Sequence, residues 1–472
     1  MPPSRSLSPR WLATPLVLLA ATVLFVAGAT RAEGEPAPAP TPAPLSLKQA
    51  EETALRNQPT MREAHGLLEA AEGRVEEARA GYLPQVTLNG SYERTTGNFA
   101  LHPGYVSTGS SGTGGRSGTG GTSGTTASGA PILWTPQYNY YTVGATGSQL
   151  LYDFGQTSNR WRAAAASRDA ADQNTRTAVL QTLLNVRRAY FVARAQRDLV
   201  AVAEETVTNQ EKHVEQTQAF VRTGIQPDIN LATVMTALAN AKVQLVTARN
   251  NYAVAEAQVA QAMGVPVGLS FSLSDAELPP VAGEDGSTEA LVDHALRARP
   301  ELANLFAQRR AQELTVKSLK GAYGPALSAV GSFSEVGIAI DGLVPNWYVG
   351  LALTWNILQG GLTTGQVREA RGTLENLVGQ QDALKLQVQV DVQQGRLSVQ
   401  AAKATIGAAG EAVVNARQQL TLAEQRYAHG LGNAVELSDA QVAYTSAEAQ
   451  LVQAKFNLAS ARAQLLAALG DR

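Results

Sequence analysis

The segment ALRNQP at Ala54 to Pro59 returns as ALRARP at Ala295 to Pro300, and GYLPQVTLNGSY at Gly81 to Tyr92 returns as AYGPALSAVGSF at Ala322 to Phe333, both 241 residues on. Farther along, VGATGSQLLYDFG at Val143 to Gly155 matches VGLALTWNILQGG at Val349 to Gly361, and TGIQPDINL at Thr223 to Leu231 matches HGLGNAVEL at His429 to Leu437, both 206 residues on. Two copies in one order predict one structural unit built twice, over residues 46–264 and 287–470 with a linker at 265–286. The offsets of 241 and 206 differ by 35 residues, so copy one carries an insertion between Tyr92 and Val143. It centres on residues 107–130, STGSSGTGGRSGTGGTSGTTASGA, with one charge, Arg116, and no large apolar side chain. Copy two joins the same elements by a much shorter connection near Ile338 to Asn346. No Lys-Ser/Thr follows the glycines and no helix opens after them, so a phosphate cradle is disfavoured and a flexible loop is expected.

Each copy opens with helical patterns, Leu47 to Asn57 and Met61 to Ala80, stopped and restarted at Pro59, whose place Pro300 takes in copy two. A proline in the first helical turn gives up an N–H that would be unpaired anyway. Period-two segments follow. Val86, Leu88, Gly90 and Tyr92 alternate with Thr87, Asn89, Ser91 and Glu93; Tyr141, Val143 and Ala145 alternate with Thr142, Gly144 and Thr146. Copy two places Leu327, Ala329, Gly331 and Phe333 on one face, then Trp347, Val349, Leu351, Leu353, Trp355 and Ile357. The expected strands cover about 84–95, 139–152, 325–336 and 346–358.

Alternation in runs of about ten residues fits a transmembrane β-strand, with apolar side chains toward lipid and small polar ones toward a lumen. A half-buried soluble strand has the same period. Trp347 and Trp355 favour the membrane: eight residues at about 3.3 Å each separate them by roughly 26 Å, like the aromatic girdles of an outer-membrane band. Tyr141 is expected at an interface with them.

Gln156 to Thr223 contains no Gly or Pro and carries an apolar stripe through Leu180, Leu183, Val186 and Tyr190. A helix of that length is about 100 Å long, too long for one globular core, so coiled-coil-like packing is expected to bury its face. A turn at Gly224 to Pro227 leads into a returning helix, Asp228 to Met263. Copy two mirrors this with Leu362 to His429, a turn at Gly430 to Asn433, and Ala434 to Leu469. The glycines of the second long helix weaken it in isolation and suit close helix contacts.

Arg5 and Arg10, the apolar run Leu16 to Ala29 and the small residues before Ala32 form a secretory signal peptide pattern over 1–32, with Ala29 as the alternative cleavage position. EGEPAPAPTPAP then reads as an extended tether over 33–45. There is no cysteine, hence no disulfide framework and no thiol nucleophile. The net charge of −2 carries no basic footprint for nucleic acid. The histidines, His65, His102, His213, His294 and His429, have no partner at metal-ligand spacing, and no nucleotide loop or catalytic motif is present. No enzyme, cofactor or metal is expected.

Four strands cannot close a barrel, since closure begins at about eight, and open edges in lipid leave backbone groups unsatisfied at several kcal/mol each. The chain is therefore expected to oligomerise: a dimer gives eight strands with a filled interior, a trimer twelve with room for a pore.

The two-copy plan, the NQP and ARP helix starts, the LLYDFGQ and ILQGGLT junctions, and RYAHGLGNAVELSDAQVAY at Arg426 to Tyr444 resemble the TolC-like outer-membrane efflux proteins, over about Leu47 to Gly470. The resemblance implies a mainly α fold with β: a homotrimeric twelve-stranded transmembrane barrel in outer-membrane lipid, continued by a long α-helical tunnel across the periplasm of a Gram-negative cell. It implies an exit channel for efflux, docked to a periplasmic adaptor (a membrane fusion protein) and an inner-membrane pump, with the long loop of about 97–137 outside the cell. It places adaptor docking at Gly224, Ile225, Gly430 and Leu431, although a left-handed turn glycine explains both glycines equally well. It makes Glu436 and Asp439, i and i+3 on one helix face, a carboxylate ring at the pore aperture; Glu436 also suits a helix N-terminus on electrostatic grounds alone. The family latch between an Arg and an Asp cannot form, because Gly432 and Asn230 stand in those places, so a closed tip is expected to depend on Tyr427 packing or other hydrogen bonds. Type I protein secretion is the alternative within this class, and an exported structural coiled coil or adhesin the alternative outside it.

Overall fold

The structure, a computed structural model, describes residues 44–96, 137–268, 271–274 and 278–472. The expected signal peptide, most of the tether and the Gly/Ser/Thr loop lie outside the described residues. The elements in chain order are β1 (Pro44–Leu45), α1 (Leu47–Asn57), α2 (Pro59–Ala80), β2 (Gln85–Thr96), β3 (Gln137–Tyr152), α3 (Gln156–Arg222), α4 (Asp228–Met263), β4 (Ser272–Leu273), α5 (Thr288–Ala298), α6 (Pro300–Gly321), β5 (Ala326–Gly337), β6 (Val344–Thr354), α7 (Leu362–Ala428) and α8 (Ala434–Leu469). The fold is mainly helical with one small sheet.

Helices α3 and α7 have 67 residues each, and α4 and α8 have 36 each. Each long helix packs along the shorter one that returns beside it, and α2 and α6 pack on α3. Apolar side chains supply the stripe: Val186, Tyr190, Val259 and Met263 form one core with α1, while Val388, Val392, Val399 and Leu465 form a second under α5. A third, around Leu420, Tyr427, Leu437 and Tyr444, lies toward the α7–α8 turn. Of the glycines in α7, Gly395 alone is packed closely, against Leu465, whereas Gly365, Gly372, Gly379, Gly407 and Gly410 face open space within the chain. The expected close helix contacts are thus made once.

The two short helix pairs are anchored alike. At the α1–α2 junction the Gln58 amide donates to the carbonyls of Gln261 and Ala262 at the end of α4, both at 2.8 Å. At the α5–α6 junction Arg299 donates from Nε to the Ala468 carbonyl at the end of α8 at 2.6 Å and pairs with Asp391 at 2.9 Å. In both, a side chain satisfies carbonyls that a helix C-terminus leaves without partners.

The sheet is antiparallel with order β2-β3-β5-β6. Pair β2·β3 starts at Gln85↔Ser148 and pair β5·β6 at Ala326↔Thr354, so the registers coincide when copy one is advanced by its two offsets. On one face stand Val86, Leu88 and Tyr92, then Val143, Phe333, Trp347, Val349, Leu351 and Leu353, all exposed. The other face carries Thr87, Asn89, Ser91, Thr142, Thr146, Ser332, Ser334 and Asn346. Tyr92 and Tyr141 sit opposite each other with rings 5.1 Å apart, and Trp347 sits opposite Phe333.

One expectation changes: β6 ends at Thr354, because β5 begins at its partner Ala326; Trp355 lies just beyond the strand, where its indole N–H donates to the Tyr323 carbonyl at 3.1 Å. The Trp347 and Trp355 pair therefore does not stand on one continuous strand within the chain. The end of the tether is laid along the fold as extended chain, since β1 pairs in parallel with β4 of the linker. The Tyr190 hydroxyl bonds the carbonyls of Leu45 at 3.0 Å and Ser274 at 2.9 Å and holds both segments on α3.

Candidate functional site: the tips of the helical hairpins

Both long helices end in the same way. After α3 the N–H of Gly224 bonds the Val221 carbonyl at 3.0 Å and that of Ile225 bonds the Phe220 carbonyl at 3.0 Å; after α7, Gly430 bonds Tyr427 at 3.0 Å and Leu431 bonds Arg426 at 2.8 Å. These paired 5→2 and 6→1 bonds form a Schellman turn. Its left-handed residue is glycine in both copies, with φ of 75° at Gly224 and 69° at Gly430. The turn chemistry alone accounts for both glycines.

It does not account for the residues that follow. A Schellman turn ordinarily packs the residue after the glycine onto the last helical turn. Here Ile225 is 63% exposed and Leu431 is 75% exposed, and Ile229 and Val435, one turn further on, are exposed as well. Four exposed aliphatic side chains thus cap the two tips.

Glu436 is the third residue of α8, and its N–H is accepted by the Asn433 side chain at 2.7 Å, a helix N-cap. Its carboxylate pairs with Arg426 Nε at 3.3 Å, back across the turn. Asp439 is exposed one turn on, with no ion-pair partner among the described residues. The two acids share the start of α8, but Glu436 is part-neutralised by its own hairpin.

The second turn is joined to the first through Tyr427, which is fully buried. Its hydroxyl donates to Gln226 Oε1 at 2.9 Å and lies 2.6 Å from Thr217 Oγ1, and its ring packs edge-on against Phe220 at 5.9 Å. Asn230 donates to the same Gln226 oxygen at 3.3 Å. Gly432 contributes only its N–H, to the Arg426 carbonyl at 3.0 Å. Arg426, Gln226 and Thr217 went unassigned in the sequence; only the adjacency of Arg426 and Tyr427 to the turn marks them there.

Above this tie, a polar cleft of about 560 Å³ opens between α3 and α7, lined by Lys212, His213, Arg417 and Glu424 among others. Burial pushes the His213 imidazole below its ordinary value, and Lys212 acts in the same sense, while burial pushes the Glu424 carboxyl up. Among the described residues no group of three or more His, Asp or Glu is arranged to hold a metal ion.

A sheet with an apolar outer face, joined to helical hairpins whose longer arm runs about 100 Å and which end in exposed aliphatic tips, defines a class: strand-and-hairpin channel subunits of the outer membrane. The chain belongs to the outer membrane efflux protein family, whose model matches residues 51–265 and 291–471. It is similar to the outer membrane efflux protein BepC of Brucella suis, 24% identical over 345 residues that cover 71% of this chain and 74% of that protein. It is also 24% identical to the outer membrane protein TolC of Escherichia coli over 454 residues, 90% of this chain and 82% of that protein. Among solved structures, the CmeC outer membrane channel of Campylobacter jejuni shares the fold with a TM-score of 0.76 at 16% identity, over 90% of this chain and 85% of that one. The protein is accordingly an outer-membrane efflux channel and not an enzyme.

Proposed function

We propose that three copies close one twelve-stranded barrel in outer-membrane lipid and continue it as a helical tunnel, whose tips meet a periplasmic adaptor and, through it, an inner-membrane pump. The observation that carries this reading is the four-stranded sheet with an apolar face and two edges, β2 and β6, that are unpaired among the described residues. In lipid those edges leave backbone groups unsatisfied, and only closure with further copies removes them. The exposed apolar residues Met235, Val243 and Val246 of α4 and Leu386, Val390 and Leu397 of α7 supply faces for neighbouring copies. Two structurally equivalent halves make three copies close to a sixfold wall, so the tunnel is built from twelve hairpin helices at each level.

At the tips, Ile225 and Leu431 give the adaptor an apolar anchor, and Gly224 and Gly430 set the turns that present it. Glu436 and Asp439 from three chains face a constriction, where clustered carboxylates favour cations and bind divalent ions. The channel is passive and needs no cofactor. Trp347, Tyr141 and Trp355 mark the two membrane interfaces.

The test is single-channel conductance of the detergent-purified protein in planar bilayers, with and without Glu436→Ala/Asp439→Ala and with a divalent cation on the periplasmic side. Cation-selective conductance whose divalent block the double substitution weakens supports the reading. A folded protein that never partitions with membranes and never conducts overturns it.

A further inference from the structure

We propose that the seam between neighbouring copies repeats, residue for residue, the register of the β3·β5 seam inside the chain. It places Leu351 opposite Tyr92 and Leu353 opposite Gly90 of the neighbouring copy, and turns Trp355 to Leu358 into strand. The proposal rests on the trimeric reading above and adds to it the address of every contact at the closing edge.

The argument starts from the three strand pairings. Advancing copy one by its offsets carries β2 onto β5 and β3 onto β6, and the β2·β3 register then coincides with that of β5·β6. The remaining pairing, β3·β5, joins the end of copy one to the start of copy two. Advanced by the same half unit, β3 becomes β6, and β5 becomes the β2 that opens the next chain. Ala145↔Phe333 then maps to Leu351↔Tyr92, Gly147↔Gly331 to Leu353↔Gly90, and Gln149↔Ala329 to Trp355↔Leu88.

Two features that did not enter the mapping agree with it. A slip by one residue would turn one strand's apolar side chains to the opposite face. The mapped register instead sets Leu351 and Leu353, exposed on the apolar face, beside Tyr92 and Gly90 of that same face. Strand length is the second. β3 runs to Tyr152 because β5 pairs with its last residues, through an irregularity between Leu150 and Tyr152. The counterparts of those residues, Asn356 to Leu358, pair with no strand among the described residues; β6 stops at Thr354, and Ile357 and Leu358 are 77% and 93% exposed. The mapped register brings Thr87 and Val86 of the neighbouring copy alongside them, so the missing end of β6 is the part that only a second copy completes.

The chain has no cysteine, so introduced pairs report without background. Directly opposed positions have Cα atoms about 4.5–5.5 Å apart, within disulfide reach, whereas a two-residue slip exceeds it. Leu351→Cys/Tyr92→Cys and Leu353→Cys/Gly90→Cys, in the full chain in outer membranes, are expected to shift on oxidation from monomer to covalent trimer mobility, reversibly with reductant. The same four sites exchanged, Leu351→Cys/Gly90→Cys and Leu353→Cys/Tyr92→Cys, are expected to remain monomeric on denaturing gels. Ala145→Cys/Phe333→Cys, the equivalent pair inside the chain, checks that the oxidant reaches this depth. Cross-linking by the exchanged pairs, or by none while the internal pair reacts and the protein sediments as a trimer, overturns the register but leaves the trimer standing. A protein that sediments as a monomer overturns both.

Discussion

The hydroxyl of Tyr427 donates to the side-chain oxygen of Gln226, 201 residues earlier in the chain, at 2.9 Å. That bond ties the last turn of α7 to the turn between α3 and α4, and Asn230 reinforces it by donating to the same oxygen. These bonds lie beside Gly432 and Asn230, the places where the resemblance expects an Arg and Asp latch, and a neutral relay through Gln226 is expected to hold the tip in its stead. Tyr427→Phe removes the hydroxyl and keeps the ring against Phe220, so the expected loss of stability is only about 1 kcal/mol. The expected functional effect is a larger single-channel conductance, and Gln226→Ala is expected to add little in the Tyr427→Phe background, because both break one link. Unchanged conductance in Tyr427→Phe would show that the bond does not hold the tip.

Arg426 sets how much of the acidic charge at the tip is felt. Its pair with Glu436 is exposed on both sides, so it contributes under about 1 kcal/mol to stability. Its effect on the field is larger, since it offsets one of the two acids that begin α8. Arg426→Gln is expected to raise cation preference, read as a larger reversal potential in a salt gradient. Asp439→Asn is expected to lower it more than Glu436→Gln does. Equal effects of the two acid substitutions would show that Arg426 does not screen Glu436.

How much of this is legible in sequence depends on whether the cause is local. The long helices follow from residues 156–223, where nothing interrupts a helix, and the tip turns follow from Gly224 and Gly430. The paired strands follow from alternation and from the repeat. What escapes reading depends on distant partners. Pro44 and Leu45 have no period of their own, and β1 exists only because β4 and the Tyr190 hydroxyl meet it. Trp347 and Trp355 lie on one alternating face, yet β6 stops at Thr354 because a strand extends only as far as its neighbour. Arg426 and Glu436 are ten positions apart, a spacing that matches no helix face and becomes a contact only when a Schellman turn folds one helix end back on the next. Glu284, in a segment read as linker, is buried only because Arg462 and Lys403 reach it from two different helices.

The exposed aliphatic residues at the tips predict a separation of docking from folding. Ile225 and Leu431 touch little of their own chain, so Ile225→Asp and Leu431→Asp are expected to change stability by no more than about 0.5 kcal/mol. Both place a charge where an apolar partner surface would seat, and an unpaired charge buried in an interface is strongly unfavourable. The expected outcome is normal trimer yield and normal conductance in bilayers, with loss of the protein's ability to restore efflux in cells that lack the channel. Retained efflux in both variants would remove the docking role from these two side chains.

Glu284 predicts how acid weakens the fold. It sits on the segment between β4 and α5 and is 2% exposed, with Arg462 at 2.9 Å, Lys403 at 2.7 Å and the Val281 N–H at 2.9 Å. Burial alone would push its carboxyl up, but the hydrogen bonds from Arg462, Lys403 and Val281 outweigh it and bring the pKa down to about 2 from its ordinary 4.5. Because the folded pKa is the lower one, the unfolded chain binds the proton first as pH falls. The stabilisation is complete above about 4.5, declines from there to about 2, and is gone below that. Glu284→Gln leaves Arg462 and Lys403 facing a neutral group and is expected to cost about 3 kcal/mol at neutral pH. As the medium is acidified toward pH 3, the folded carboxyl stays largely ionised while the unfolded chain takes up the proton, so the wild-type advantage shrinks and the two Tm values are expected to draw together. Lys403→Met is expected to cost less, because that ammonium is one-third exposed while the Arg462 guanidinium is largely buried. A Tm difference between wild type and Glu284→Gln that stays constant from pH 6 to pH 3 would show that Glu284 does not carry this dependence.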